Sequence, residues 1–266
     1  MKLRNILMVV ATMGIMFSSA DRTGVVGYTA GDYSDMMTFA HSVAGQNVAW
    51  TAGDDFTAVW SDGGTTWGFS SGDAADLVDM WWSNGTYGLN VGLNMTADAG
   101  EVAGETTFDL GFGMNLMGYD FGFHMNTAED SDMDLNLRGN CNFWVWDTMT
   151  FDYHDEGGNW TSMSFGLYSV NEWGPATGMF GMGFTSSDQE ADADGGAINP
   201  DGYTAVNTNF SVESTLTDWC DLRIGYSKSF NMAAVDGEDS SSDSYSAGLG
   251  FNYGSVALDM TISSTT

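Results

Sequence analysis

Basic residues, proline and cysteine are scarce in this chain of 266 residues, which contains six Lys and Arg, two prolines and two cysteines. With 36 Asp and Glu the formal net charge is −30, which excludes a nucleic-acid binder because phosphate contacts need clustered Lys and Arg. Cys141 and Cys220 fall in predicted strands that are not neighbours, so no disulfide is expected. Beyond residue 20, no apolar run reaches the roughly 18–20 residues of a membrane-spanning helix.

Glycine and aromatic residues are abundant instead. The chain has 35 glycines, 14% aromatic residues and 43% hydrophobic residues. A disordered acidic chain would be poor in aromatic residues, so this composition excludes general disorder. Many aromatic residues and almost no proline favour β-structure.

Residues 1–20 have the three-part layout of a secretory signal peptide. Lys2 and Arg4 precede the apolar run Ile6–Phe17, and the small residues Ser18, Ser19 and Ala20 end the segment. The apolar run is too short to span a bilayer. We therefore expect export and cleavage, which leaves four basic residues against 36 acidic ones and a net charge of −32.

Apolar and polar residues alternate strictly from Thr86 onward. Phe108, Leu110 and Phe112, for example, alternate with polar residues and glycine. A period of two is typical of strands with one apolar and one polar face, and several of these segments have the roughly 9–11 residues of a tilted membrane-spanning strand. The predicted strands are Thr86–Thr96, Thr106–Leu116, Tyr119–Thr127, Met133–Phe143, Thr148–His154, Thr161–Val170, Ala176–Thr185, Tyr203–Ser214, Trp219–Phe230, Ser244–Tyr253 and Val256–Ile262.

The predicted connections alternate in length. Long polar links lie at 97–105, 128–132, 155–160, 186–202 and 231–243, and short links at 117–118, 146–147, 171–175, 215–218 and 254–255. Strict succession of long and short links is typical of outer-membrane barrels, which have short periplasmic turns and longer external loops. Aromatic residues gather at predicted strand ends, where membrane proteins place them at the lipid–water interface: Trp81, Trp82, Trp144, Trp146, Trp160, Trp173, Trp219 and Tyr253.

In these features the chain resembles Gram-negative outer-membrane β-barrel proteins, porin-like in the broad sense. The resemblance implies an all-β, transmembrane, antiparallel up-and-down β-barrel of about 14 strands, within a range of about 12–16. Its short turns would be periplasmic and its longer acidic loops external. The resemblance covers the signal peptide and residues 86–262, followed by a tail at 263–266. The C-terminus departs from the pattern because it ends in Ser and Thr rather than an aromatic residue, which suggests a missing strand, a truncated gene or an irregular barrel.

Residues 21–85 form a less regular N-terminal segment. Four shorter strands are predicted, at Gln46–Trp50, Phe56–Trp60, Thr65–Phe69 and Leu77–Trp82, and Asn84-Gly85 is a tight-turn signal. These pieces either join the barrel or form a plug in its lumen, as in fatty-acid transporter barrels.

The polar face of the predicted strands carries mostly acidic charge. If the apolar face meets lipid, these residues line the lumen: Asp109, Asp120, Asp134, Arg138, Asp152, Glu213, Asp221, Arg223 and Asp259. An acidic lining attracts cations and repels anions, which predicts a cation-preferring pore or cavity. The alternative is a filled barrel in which these groups bond to one another, with the two arginines paired to neighbouring carboxylates.

One long loop carries oxygen ligands at alternate positions. Glu190, Asp192 and Asp194 precede two glycines, and Asp201 follows near the position of a closing carboxylate. This spacing predicts a calcium site, although the flanking strands exclude an EF-hand. The alternative is a solvated acidic surface without metal.

The predicted function is passive, cation-preferring passage or binding of small solutes by a lipid-embedded barrel without catalysis or cofactor, other than calcium in the external loops. One alternative is a closed structural or surface-interaction barrel with calcium-binding loops, and another is a soluble, secreted, acidic β-sandwich. The last alternative is an outer-membrane enzyme, for which Ser162 or Ser164 could pair with His154 across adjacent strands. The oligomeric state is left open.

Overall fold

The computed structural model describes residues 14–17, 25–26, 33–52, 55–72, 77–96, 104–128, 131–157, 160–189, 203–232, 241–253 and 256–266. Within them lie two 3₁₀ helices, at Tyr33–Met37 and Ala40–Val43. The strands are β1 (Gly14–Phe17), β2 (Val48–Ala52), β3 (Asp55–Asp62), β4 (Thr65–Ser71), β5 (Val78–Ser83), β6 (Tyr87–Met95), β7 (Thr106–Leu116), β8 (Tyr119–Asn126), β9 (Asp132–Phe143), β10 (Trp146–Glu156), β11 (Trp160–Trp173), β12 (Ala176–Gln189), β13 (Tyr203–Thr217), β14 (Cys220–Asn231), β15 (Ser241–Tyr253) and β16 (Val256–Thr265).

The fifteen strands β2–β16 form one antiparallel up-and-down sheet in chain order. With an odd number of strands, the first and last run in the same direction, so these two edges cannot pair antiparallel. They do not pair with each other: β1 lies between them and pairs parallel with both β2 and β16. The antiparallel sheet itself is therefore open, and four residues of the predicted signal segment complete the ring.

All fifteen predicted strands, including the four short N-terminal ones, are present in this sheet. Fifteen strands lie within the predicted range of 12–16 and are one more than the predicted central value of 14. The observed strands differ from the predicted ones mainly in length, since β12 runs to Gln189 rather than Thr185 and β13 to Thr217 rather than Ser214. Ser186, Ser187 and Asp188 continue the pairing of β12 with β11, although they lack apolar alternation. Strand pairing beyond an apolar band does not require that alternation, so the sequence pattern underestimates these strands.

Connections are sorted by length at the two ends of the sheet. At one end, every link from β3–β4 to β15–β16 contains two or three residues. The link between β7 and β8 has positive φ at both Met117 (57°) and Gly118 (85°), as a tight two-residue hairpin requires. The opposite end carries all the longer links, including those at 96–105, 190–202 and 232–240, but also two short ones, at 53–54 and 157–159. The predicted long link at 155–160 was therefore wrong, because β10 and β11 stay paired as far as Glu156 and Trp160.

One face of the sheet presents its large apolar side chains to the surroundings. Paired residues of adjacent strands share a face, and Phe151, Phe165 and Phe184 form such a row across β10, β11 and β12. Phe165 is 42% exposed and Phe184 is 45% exposed, and Leu89 on β6 is 48% exposed. We call this the outer face. Asn90 and Arg138 lie on the opposite, inner face and are buried, which reverses the usual arrangement of a water-soluble protein.

Exposed tryptophans mark the end with the short turns. Trp144, Trp173 and Trp219 lie in or beside three of these turns and are 87%, 56% and 53% exposed. Trp81 differs from the predicted interfacial position: it is on the inner face, 3% exposed, and packs on Gly68. It lies inside because its cross-strand partners, Gly68 and Asn90, are inner-face residues.

A small apolar core lies on the inner side of β2–β5. Met36, Ala40 and Val43 come from the two 3₁₀ helices, and they pack against Val48, Trp50, Val59 and Trp81. These strands are therefore covered by the N-terminal segment, which explains their weaker period-two pattern. Cys141 and Cys220 are free cysteines. Among the described residues, no helix is long and apolar enough to cross a membrane.

Candidate functional site

The inner face of β6–β9 holds the N-terminal segment in a groove made by glycines. Gly88, Gly113 and Gly122 are cross-strand partners on β6, β7 and β8. A Cβ at Gly88 or Gly113 would overlap the backbone of residues 40–41, and a Cβ at Gly122 would overlap the carbonyl oxygen of Thr38. The three glycines thus form a strip without side chains, and the backbone of residues 38–41 lies directly against the wall.

Buried ionic contacts hold this segment beside the groove. Arg138 donates from Nε and Nη2 to Asp120 Oδ2 at 3.1 and 2.9 Å, and its Nη2 lies 2.9 Å from Asp35 Oδ2. His41 Nε2 lies 2.9 Å from Asp120 Oδ1, which also accepts a hydrogen bond from Asn115. We call Asp35, His41, Asp120 and Arg138 the latch, because two of its members belong to the segment and two to the wall.

Aromatic and backbone contacts reinforce the latch. The Arg138 guanidinium lies 4.6 Å from the centre of the Phe39 ring. His124 on β8 lies with Nε2 3.1 Å from the carbonyl oxygen of Thr38. Ser83 donates a hydrogen bond to the carbonyl oxygen of His41 at 2.9 Å. The segment is therefore bound through its backbone as well as its charges.

A second part of the N-terminal segment contacts the far wall. Val25 and Val26 are 1% and 6% exposed. Ser211 Oγ donates to the carbonyl oxygen of Val26 at 2.8 Å, and a Cβ at Gly225 would overlap the carbonyl oxygen of Val25. The described parts of this segment thus touch inner-face residues of both β5–β8 and β13–β14.

Arg223 is the other buried arginine of the inner face. Three of the acids that were predicted to line a lumen lie around it or near it. Arg223 Nε donates to Glu213 at 3.1 Å, and its Nη1 donates to Asp259 at 2.5 Å. Thr215 donates to Asp221 at 2.8 Å. Arg223 is 5% exposed. The structure therefore brings Glu213, Arg223 and Asp259 together into one cluster on β13, β14 and β16.

The remaining predicted acids have neutral partners, a histidine partner or no hydrogen-bond partner among the described residues. Asp109 accepts hydrogen bonds from the amides of Asn94 and Asn126, both at 2.6 Å. Asp134 lies 2.7 Å from His154 Nδ1. No described residue donates a hydrogen bond to Asp152, which lines an inner cavity. The predicted residues thus share one face but form separate groups rather than one site.

The cavity lies on the inner side of β10–β15 and has a volume of about 310 Å³. Its wall is rich in hydroxyl and amide groups. Thr185 Oγ1 lies 3.1 Å from Ser164 Oγ and accepts a hydrogen bond from Asn207 at 2.9 Å. Tyr168 lies beside Gly166 and Gly181, where an added Cβ would crowd its ring.

Sequence reasoning missed the members of the site that belong to the N-terminal segment. Asp35 and His41 carry no motif, and they meet Arg138 and Asp120 only through the fold. The signal that was available is the spacing of glycine on the polar phase of three consecutive strands, which indicates a close backbone approach.

The structure does not describe the residues of the predicted calcium site, but it does describe those of the possible catalytic pair. Glu190, Asp192, Asp194 and Asp201 lie outside the described residues, so the calcium prediction stays a prediction. Within the described part of the chain, no group of three His, Cys, Asp or Glu residues has a geometry that could hold a metal ion. His154 pairs across strands with Ser162, but its hydrogen-bond partner is Asp134 and its ring lies against Trp160.

No protein-family model matches the sequence, and no curated protein matches it. Among solved structures it is similar to Pseudomonas aeruginosa OccK11 (OpdR), at 11% identity over 79% of this chain and 71% of that chain, with a TM-score of 0.45. It is similar to P. aeruginosa OccK2 (OpdF) in complex with glucuronate, at 9% identity over 79% and 84%, with a TM-score of 0.46. P. aeruginosa OpdK with vanillate matches at 9% identity over 74% and 70%, with a TM-score of 0.41. At these identities and TM-scores, the likenesses assign no family to this chain.

Proposed function

We propose that this protein is an outer-membrane, porin-like β-barrel that passes or binds small solutes and prefers cations. The observation that carries the proposal is the exposed apolar outer face, on which Leu89, Phe165 and Phe184 are all more than 40% exposed. Leaving such side chains in water costs about 25 cal/mol for each Å² of apolar surface. Contact with lipid removes this cost, and the antiparallel strands satisfy their backbone groups through pairing.

The inner face supports the solute-handling part of the proposal. Asp, Asn, Ser and Thr residues lie on this face, and several of them line a cavity. Outer-membrane barrels alternate apolar residues facing lipid with polar residues facing the lumen, and they have short turns at the periplasmic end. The sorted turns and the exposed tryptophans at their end agree with that orientation.

Cation preference follows from the imbalance of charge on the inner face. Among the described residues, Arg138 contacts two carboxylates and Arg223 contacts two others. Asp109 is bonded by neutral amides, and Asp152 faces the cavity. The inner wall therefore keeps a negative charge after its ion pairs are formed, and a negative wall raises the local concentration of cations.

We expect channels reconstituted in planar bilayers to be more permeable to K⁺ than to Cl⁻. The reversal potential in a KCl gradient measures this ratio. Asp152→Asn should lower it because the variant removes a cavity carboxylate. Asp243→Asn on the outer face is the matched control, since it removes the same charge where Asp243 bonds Lys228 and Tyr226. A ratio at or below one in the wild type would contradict cation preference.

Cell fractionation tests the location separately. The protein should be found in the outer-membrane fraction and should need detergent for extraction. Recovery from the soluble periplasm would favour the acidic β-sandwich and would overturn the barrel proposal.

A closed structural barrel is the second candidate, and the position of the N-terminal segment favours it. Residues 38–41 cover the inner face of β6–β8, and Val25 and Val26 contact the far wall. If the segment blocks passage, the wild type would be silent in bilayers although it inserts into them. Displacing the segment would then start conductance, which separates a blocked pore from a barrel with a solid interior.

A further inference from the structure

The cavity on the inner side of β10–β15 combines three properties that define its ligand. It is about 310 Å³ in volume, most of its lining residues are Ser, Thr or Asn, and it includes one carboxylate, Asp152. Small-molecule sites span about 300–1,000 Å³, so this cavity matches a ligand at the small end of that range.

One acceptor that borders the cavity has no donor. No described residue donates a hydrogen bond to Asp152, a member of the lining. Buried polar groups are normally hydrogen-bonded, because an unmade bond costs about 1–3 kcal/mol. A ligand for this cavity must therefore supply donors, as hydroxyl and ammonium groups do.

The basic residue in the wall is not available to an anionic ligand. Lys228 contributes to the lining, but its Nζ lies 2.8 Å from Asp243 Oδ2 on the outer face. Asp152 would repel a carboxylate or phosphate placed in the cavity. An anionic solute would thus lose its hydration without gaining a cation, which is unfavourable.

The remaining wall supplies the contacts that suit a ring with many hydroxyl groups. Ser164, Thr185 and Asn207 form a hydrogen-bonded row whose hydroxyls can both donate and accept. Tyr168 lies across two glycines, Gly166 and Gly181, and is an aromatic ring in the cavity wall. Hydroxyl-rich rings combine polar edges with apolar C–H faces, so they complement this mixture.

We propose that the cavity is a binding site for a monosaccharide-sized, polyhydroxylated solute without negative charge. This inference rests on the proposed function, because such a site would lie on the route of solutes through the barrel. It adds a ligand class and a location within the wall.

Titration calorimetry on the detergent-folded protein tests this proposal with three hexose-sized probes that differ in charge. Glucose is neutral, glucosamine carries an ammonium group at neutral pH, and glucuronate carries a carboxylate. We expect glucose to bind, glucosamine to bind at least as tightly, and glucuronate to bind at least about tenfold more weakly. Tightest binding of glucuronate, or no binding of glucose and glucosamine at millimolar concentrations, would overturn the proposal.

Two cavity variants and a matched control locate the site. Thr185→Val keeps the side-chain shape but removes the hydroxyl, and it should weaken glucose binding about tenfold. Asp152→Asn should remove any advantage of glucosamine over glucose. Thr204→Val makes the same exchange at a neighbouring position paired with Ser186, in phase with the outer face, and should leave binding unchanged. Equal effects of Thr185→Val and Thr204→Val would overturn the assignment of the cavity.

Conductance measured on the same preparations distinguishes failure of the proposed binding site from failure of the proposed porin-like function. Cation-selective channels that do not bind glucose or glucosamine would overturn the binding site and leave the porin-like function intact. Saturable glucose binding without conductance would support the site and contradict passage. Circular dichroism of each variant checks that the strand content is retained.

Discussion

Gly113→Val is expected to release the N-terminal segment from the wall and to raise single-channel conductance severalfold. A side chain at Gly113 would occupy the space of the backbone of residues 40–41. Backbone cannot move aside as a flexible side chain can, so the whole segment has to shift. Met36, Ala40 and Val43, all fully buried, would lose their packing. Planar-bilayer recordings measure the conductance, and hydrogen exchange over residues 35–47 should become faster.

Phe112→Val is the matched control for this prediction. It lies on the same strand, next to Gly113, but on the outer face, where Phe112 is 36% exposed. It should leave conductance and hydrogen exchange of residues 35–47 unchanged. Unaltered exchange in Gly113→Val would show that the segment does not lie in the glycine groove.

Arg138→Met is expected to lower the free energy of unfolding by about 3–5 kcal/mol, the usual cost of removing one partner from a buried ion pair. The variant removes the guanidinium that contacts both Asp35 and Asp120. Arg138 is 7% exposed, so water cannot replace the guanidinium fully. Urea unfolding in detergent or lipid vesicles, followed by tryptophan fluorescence, measures the loss.

Two further variants distinguish loss of charge pairing from loss of packing. Neutralising both partners, as Asp35→Asn and Asp120→Asn in the Arg138→Met background, should recover part of the stability. Lys228→Met breaks the outer-face pair with Asp243, whose side chains are 27% and 25% accessible against 9% for Arg138, and it should cost less than Arg138→Met. Equal losses in Arg138→Met and Lys228→Met would contradict the latch.

The strands were predictable because the two faces of this sheet meet different surroundings. Phe108, Leu110 and Phe112 had to share one face, and the intervening glycine and polar residues had to share the other. The N-terminal strands were harder to interpret, since Val48, Trp50 and Val59 are apolar on the inner face. They face the apolar core formed with the 3₁₀ helices, so both faces there are apolar for different reasons.

The site was only partly predictable. Arg138 and Asp120 lie on adjacent strands and are cross-strand partners, so the register of β8 and β9 brings them together. One of the two interpretations of the lumen included such arginine–carboxylate pairs. Asp35 and His41, in contrast, reach the same place through a segment without periodicity, and no local pattern indicates which wall it contacts.

Sequence patterns also did not predict that β1 pairs with both β2 and β16. Residues 14–17 were assigned to a signal peptide, and cleavage there would leave the edges of β2 and β16 without this bridging strand. Because β2 and β16 run in the same direction, direct closure would need parallel pairing between them. Sequence alternation predicts strands, but it does not predict how an odd-numbered sheet closes.

The chain has few arginines, and two of them lie buried on the inner face of the sheet. Arg138 and Arg223 are both buried on the inner face, and each contacts carboxylates on more than one element. Such bidentate, planar donors suit enclosed ion pairs better than lysine does. The acidic excess that remains on this wall underlies the proposed preference for cations and for uncharged or cationic solutes.

A spin-label scan along β12 tests the central claim, that the apolar face meets lipid and the polar face encloses the solute path. Single cysteines at each position from Phe180 to Thr185, in a background with Cys141 and Cys220 replaced by serine, are labelled in vesicles. Labels at Phe180, Met182 and Phe184 should be accessible to oxygen dissolved in lipid, while those at Gly181, Gly183 and Thr185 should be accessible to a water-soluble nickel complex or to neither reagent. Oxygen accessibility without a period of two, or with the opposite phase, would contradict the account.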